Sequence, residues 1–171
     1  GYIFAGWTEP EVGSWVETRI YKFGAGNDKI TAQWTPITYY VQYDANGGSG
    51  TMVNSQHTYD EPKNLTANEF TRTGYQYANW NTSANGSGTS YADEQEVLNL
   101  TSVNGYVIIL YAQWKAITYY VRYAAAGGTG TMADSVHTYD TPSNLTANAF
   151  TRTGYQYANW NTSANGSGTS Y

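Results

Sequence analysis

The chain repeats itself. Ile37–Tyr91 and Ile117–Tyr171 align without a gap at an offset of 80 residues, and 45 of the 55 paired positions are identical. A period of this length marks a tandem array of small units, each of which must bury its core within itself or against a neighbour. Shorter matches extend the pattern: Gly1–Trp7 (GYIFAGW) corresponds to Gly74–Trp80 (GYQYANW), and Ile30–Trp34 (ITAQW) to Leu110–Trp114 (LYAQW). The sequence therefore divides into the back part of one unit at 1–34, a whole unit at 37–114 and the front part of another at 117–171. The joins are Thr35-Pro36 and Lys115-Ala116, too short to let neighbouring units swing freely.

Composition narrows the function classes. With 16% aromatic and 12% charged residues, 18 Tyr and 6 Trp, the chain can build aromatic cores and is not of the disordered type. A net charge of -5 without a basic cluster argues against nucleic acid as a partner. The apolar run around Val107–Tyr111 is far shorter than a membrane-spanning helix, so no membrane insertion is expected. Without Cys there is neither a disulfide framework nor a thiolate metal site. The sequence shows no initiator Met and no signal-peptide pattern, as expected of a mature product or a window of a longer array.

Within the whole unit, Ile37–Tyr43 alternates, with Ile37, Tyr39, Val41 and Tyr43 on one face, and predicts a half-buried strand. Asn46-Gly47 supplies the positive φ of a tight hairpin turn. Further strands are expected at about Met52–Tyr59, at Tyr75–Trp80 and at Tyr106–Trp114, with a loop at Asn85–Gly88 and a short acidic helix over Ala92–Leu98. The expected fold class is α+β, predominantly β, with Trp80, Trp114, Tyr75, Tyr77 and Phe70 as core candidates.

The strings YVQYDANGG, NLTANEFTRTGYQYANWNT, GTSYAD and LYAQW, in that order and spacing, resemble the B repeat of internalin-type bacterial surface proteins, the Listeria–Bacteroides repeat. The resemblance implies tandem β-grasp-like (ubiquitin-like) domains, with the first and last strands of each as neighbours in one sheet, in an extracellular, cell-surface or cell-wall-attached protein with a structural or adhesive stalk role. The chain departs from the pattern at Tyr77 and Tyr157, where Phe4 keeps the usual Phe, and at Asn79 and Asn159, where Gly6 keeps the Gly. At Ala124–Gly128 it reads AAAGG in place of DANGG, so a ligand dependent on Asp44 and Asn46 would be absent from that copy.

The candidate chemical sites are better read as structure. Asp44-x-Asn46-Gly47 begins like a calcium loop, but Ser55 stands where the chelating Glu would be required, leaving a turn. His57 and His137, in HTYD, have no placed nucleophile and read as strand histidines. Asp93, Glu94 and Glu96 read as a solvated face favouring a helix start. Trp7, Trp34, Trp80, Trp114 and Trp160 recur at fixed points as core anchors would, which leaves Tyr40 and Tyr120 as the better exposed candidates for stacking on a sugar. Sequons stand at Asn64, Asn81, Asn85, Asn99, Asn144, Asn161 and Asn165, relevant only in a glycosylating host. No catalytic, metal or cofactor residue is assigned and no enzyme activity is expected. The functions that remain are a stalk or fibre module and, alternatively, a dedicated binder of surface glycan or host protein.

The divided units raise a question of completion. Segment 117–171 lacks the counterpart of Tyr106–Trp114, and segment 1–34 lacks that of Ile37–Tyr43. Three readings compete: a window of a longer array, head-to-tail completion between copies, and closure within one chain, which the short joins disfavour. The second would build an open filament through Ile30, Ala32 and Trp34 of one copy against Ile117, Tyr119 and Val121 of the next.

Overall fold

The computed structural model describes residues 1–8, 15–16 and 29–171. The rest of segment 1–34 lies outside the described residues. Two compact units result, Gly1–Lys115 and Ala116–Tyr171. The first holds β1 (Tyr2–Thr8), β2 (Trp15–Val16), β3 (Thr31–Pro36), β4 (Thr38–Asp44), β5 (Ser55–Thr58), β6 (Lys63–Asn64), β7 (Tyr75–Asn81), β8 (Ser90–Tyr91), β9 (Glu96–Val97) and β10 (Val107–Ala116). The second holds β11 (Thr118–Val121) and β12 (Ser135–Thr138).

Alternation decides how β4 lies. Tyr39, Val41 and Tyr43 are buried while Tyr40 and Gln42 on the opposite face are half-buried, as a strand covered mainly on one side requires. Its sheet runs β5-β4-β10-β7-β8. The first and last long strands of the repeat, β4 and β10, are parallel neighbours at its centre, with Ile108 opposite Val41 and Leu110 opposite Tyr43. β5 pairs antiparallel along the other edge of β4, placing His57 opposite Tyr39. A parallel pair needs a long crossover. Here the chain between β4 and β10 makes it while laying down β5 to β9, and Leu65, Phe70 and Val97 along it close the core over Trp80, Leu110 and Ala112.

Three expectations are corrected. Ala92–Leu98 is not a helix, and no helix occurs among the described residues, so the architecture is all-β. A turn closes through Gln95 N–H donating to the Ala92 carbonyl at 3.3 Å, Glu94 sits at φ 53°, and Val97 is buried in β9 against β6. A seven-residue helix would be too short to offset its nucleation cost, and the left-handed residue stops it outright. The second strand is shorter than expected, beginning at Ser55. Asn46 (φ 47°) and Gly47 (φ 84°) do form a turn, closed by Gly48 N–H on the Ala45 carbonyl at 2.9 Å, but it directs the chain into a bridge between Ser49 and Thr71 and not straight into β5.

The third correction concerns the tryptophans. Trp80 is fully buried and Trp114 and Tyr77 pack at the edge of its cluster, whereas Trp7 and Trp34 are 43% and 56% exposed. These two lie on the β2-β1-β3 sheet, where each meets Phe4 edge-on at ring separations of 5.2 and 5.6 Å. Among the described residues no counterpart of β4 covers that sheet, and an aromatic anchor without its opposing strand stays in solvent.

Candidate functional site

The site is best understood by what fills it in the whole repeat. Three things hold β10 there. Its backbone pairs with β4 over Val107–Tyr111, Leu110 and Ala112 are fully buried, and the Trp114 indole Nε1 donates to the Ala45 carbonyl at 2.9 Å. A fourth is a clasp from the turn: the Asn46 amide Nδ2 donates to the Ala112 carbonyl at 2.9 Å and to the Ala84 carbonyl at 2.8 Å. Gly48 leaves room for the indole, since a Cβ there would lie 2.7 Å from Trp114 Cζ2.

The second unit keeps the walls and lacks the strand. β11 and β12 pair in the register of β4 and β5, with Tyr119 opposite His137. Trp160 packs on Tyr123 and Phe150 at 4.7 and 6.1 Å, matching 4.9 and 6.1 Å for Trp80 on Tyr43 and Phe70. Arg152 lies over the Tyr155 ring at 4.0 Å, as Arg72 lies over Tyr75. Where β10 would run there is instead an open cleft of about 1090 Å³, lined by Tyr119, Val121, Tyr123, Phe150, Tyr157 and Trp160. Exposure registers the loss: Tyr119 is 45% exposed against 0% for Tyr39, and Ile117 43% against 3% for Ile37. Local aromatic packing therefore follows from the sequence of the unit itself, while the burial of the strand face needs a further strand.

The residues expected at a completion interface divide accordingly. Ile30, Ala32 and Trp34 lie in or beside β3, the outer strand of its sheet. Ile117, Tyr119 and Val121 lie in or beside β11, whose described sheet partner is β12 alone. Tyr120 is 69% exposed, and Tyr40, its counterpart beside β10, is half-buried.

The histidine and carboxylate candidates resolve into structural bonds. His57 is buried, stacks on Tyr39 at 5.4 Å and shares a 3.0 Å hydrogen bond between Nε2 and the Ser55 hydroxyl, which in turn meets the Tyr43 hydroxyl at 2.9 Å. Burial, and then the charge of Lys63, push its pKa below the usual histidine value. Its Nδ1 has no partner among the described residues, whereas His137 Nδ1 meets the Ser143 hydroxyl at 2.6 Å. Asp60 faces elsewhere, accepting from the Tyr2 hydroxyl at 2.6 Å and from Asn99 at 2.7 Å, bonds that hold its carboxyl below its ordinary pKa. Histidine and aspartate of HTYD thus form no dyad. Asp44 accepts from the Asn46 amide at 2.8 Å, an Asx turn, and Asp93 accepts from the Asn68 amide at 2.9 Å. No cluster of metal-ligating side chains occurs among the described residues.

Sequence reasoning missed Asn81 except as a sequon. It is 1% exposed. Its Nδ2 donates to the Gly86 and Gly88 carbonyls and the Ser90 hydroxyl, and its Oδ1 accepts from the Ser83 and Gly88 amides. It therefore serves as the hub of the loop over Thr82–Thr89. The available signal was the recurrence of an Asn directly after the Trp of the same motif, at Trp80-Asn81 and Trp160-Asn161.

Comparisons with known proteins agree with the repeat. The Listeria–Bacteroides repeat domain matches residues 39–113 and again 119–171, so its two segments cover most of the chain. A protein of Evansella cellulosilytica described as a Gly-rich membrane protein is 32% identical over 103 residues, which is 58% of this chain and 12% of that relative's length. No solved structure matches. The chain belongs to the Listeria–Bacteroides repeat domain family.

Proposed function

We propose that the chain is a non-enzymatic spacer of an extracellular bacterial surface protein, a stalk or fibre segment whose repeats hold fixed positions relative to one another. The observation that carries this reading is the seam inside the first unit between the paired strands β1 and β3, from one repeat, and the repeat that follows. Ile37 alone separates β3 from β4, and its amide donates to the Gly1 carbonyl at 2.9 Å. The Tyr2 hydroxyl donates to the Asp60 carboxylate at 2.6 Å, and the Tyr2 and Tyr59 rings meet edge-on at 5.8 Å. A seam built of backbone, aromatic and carboxylate contacts resists bending, which is what a spacer requires and a catalyst does not. The description of the Evansella cellulosilytica relative as a membrane protein fits a surface location. The parallel placement of the first and last strands supports a β-grasp-like reading of the repeat, here with a crossover that carries no helix.

The absence of Cys allows specific labelling. With spin labels at Thr31→Cys and Gln56→Cys, the expected result is one narrow distance distribution that broadens on Asp60→Ala. A distribution already broad without that substitution contradicts a rigid seam. Exposed tyrosines such as Tyr120 favour a dedicated glycan-binding role instead, and selective retention on a glycan array is the result that would prefer it.

A further inference from the structure

We propose that His57 and Lys63 form a binding site for a small carboxylate anion, one oxygen accepting from the His57 Nδ1 proton and the other from the Lys63 ammonium. The site follows from the order of protons along one hydrogen-bond chain inside the first unit.

That chain starts at a group that can only donate. The Thr66 amide donates to the Tyr43 hydroxyl at 2.8 Å, so the phenol turns its own proton toward the Ser55 hydroxyl, 2.9 Å away. Ser55 then passes its proton to His57 Nε2 at 3.0 Å, which makes Nε2 the acceptor and places the ring proton on Nδ1. The reverse order would leave the phenolic proton of buried Tyr43 without an acceptor in the chain of bonds.

The second unit carries the same order to its end. The Thr146 amide donates to the Tyr123 hydroxyl at 2.8 Å, Tyr123 meets Ser135 at 2.8 Å, Ser135 meets His137 Nε2 at 2.7 Å, and His137 Nδ1 donates to the Ser143 hydroxyl at 2.6 Å. Lys63 is the counterpart of Ser143, and an ammonium has protons but no lone pair to offer. His57 is 1% exposed, and its Nδ1 has no partner among the described residues. Two donors therefore converge, because the Lys63 Nζ is fixed beside β5 by donating to the Gln56 carbonyl at 2.7 Å. A carboxylate satisfies both with charge-assisted bonds, whereas water would satisfy Nδ1 and leave the positive charge unmatched. Lys63 also lines a surface cleft of about 360 Å³ with Gln56, Thr58, Glu61 and Pro62, which gives a small acid a way in once the lysine arm swings aside. The charged groups of that cleft are Lys63 and Glu61, and Glu61 opposes an anion. Both are replaced in the second unit, by Thr141 and Ser143, so the site belongs to the first unit.

The test titrates the isotope-labelled 171-residue protein with sodium formate, replacing gluconate at constant ionic strength and at a pH where His57 is neutral, and follows the ring nitrogens of both histidines by NMR. Expected are the Nδ1-protonated tautomer at His57, a saturable formate shift at its Nδ1, and no such shift at His137, which serves as the control within the same molecule. Lys63→Met, at an exposed position where folding is not at risk, should weaken binding about tenfold or more, and Lys63→Ser should abolish it by giving Nδ1 a hydroxyl. Glu61→Gln should tighten binding about twofold or more by removing the opposing charge. The Nε2-protonated tautomer at His57, equal shifts at the two histidines, or undiminished binding by Lys63→Met overturns the proposal. So does the absence of a saturable shift, since water then serves Nδ1. A Glu61→Gln variant whose His57 signals move without formate as far as saturating formate moves those of the parent overturns it too, since the acceptor is then the chain's own carboxylate.

Discussion

Trp114 reaches from the last strand of the repeat to the turn that follows its first, the indole Nε1 donating to the Ala45 carbonyl at 2.9 Å. The turn leaves space for it only because residue 48 is glycine. A Cβ at Gly48 would lie 2.7 Å from Trp114 Cζ2 and 2.9 Å from the Thr71 carbonyl oxygen. Gly48→Ala should therefore cost about 1–3 kcal/mol in a urea titration of the first unit. Trp114→Phe should not rescue it fully, because the clash with the Thr71 backbone remains.

Trp80 is the largest fully buried side chain among the described residues and touches Tyr43, Phe70 and Tyr77 ring to ring. Trp80→Ala should lose about 3–5 kcal/mol, enough to unfold the repeat or bring it close to unfolding. Unchanged thermal melting of the first unit would place Trp80 outside the core.

Asn81 organises its loop from inside. Asn81→Ala removes five hydrogen bonds and strands the Ser83 and Gly88 amides, and should cost about 2–3 kcal/mol by chemical denaturation. Asn85→Ala, at an exposed site in the same loop, should change stability far less.

Much of this was legible because it is local or periodic. The inward face of Ile37, Tyr39, Val41 and Tyr43 and the burial of Trp80 and Phe70 follow from alternation and from the repeat itself, and the adjacency of the first and last strands from the family resemblance. The helix expected at Ala92–Leu98 failed because an acidic, Ala-started stretch reads as a helix start, while the pairing of Val97 with Lys63 depends on a distant segment. Trp7 and Trp34 were misjudged for a related reason: matching motifs cover their tryptophans only where the opposing strand is present. The hub role of Asn81 and the clasp of Asn46 are long-range polar geometry, which no periodicity encodes.

His57 makes stability depend on pH. Its folded pKa lies below the ordinary 6.5 because burial, and then Lys63, oppose the charged form. The unfolded chain therefore takes up the proton first as pH falls. Stability should decline from about pH 7 downward, by at most about 1.4 kcal/mol per pH unit, and stop declining below the folded pKa. Lys63→Ser copies the residue that contacts His137, removes the nearby charge and gives Nδ1 a hydroxyl partner. It should raise the His57 pKa, followed by NMR titration, and flatten the stability profile between pH 7 and 5. A profile identical to that of the parent would remove Lys63 from the account.

The central claim is that β10 closes the repeat by locking the free edge of β4, and amide hydrogen exchange tests it most directly. In the first unit the Tyr40 amide donates to the Tyr106 carbonyl at 2.9 Å. Tyr120 holds the same register against β12 and turns its amide toward the open cleft. Within this 171-residue chain, Tyr40 should exchange about 100-fold or more slowly than Tyr120, since only the first is locked into a continuous sheet. Equal protection of the two amides would contradict the account.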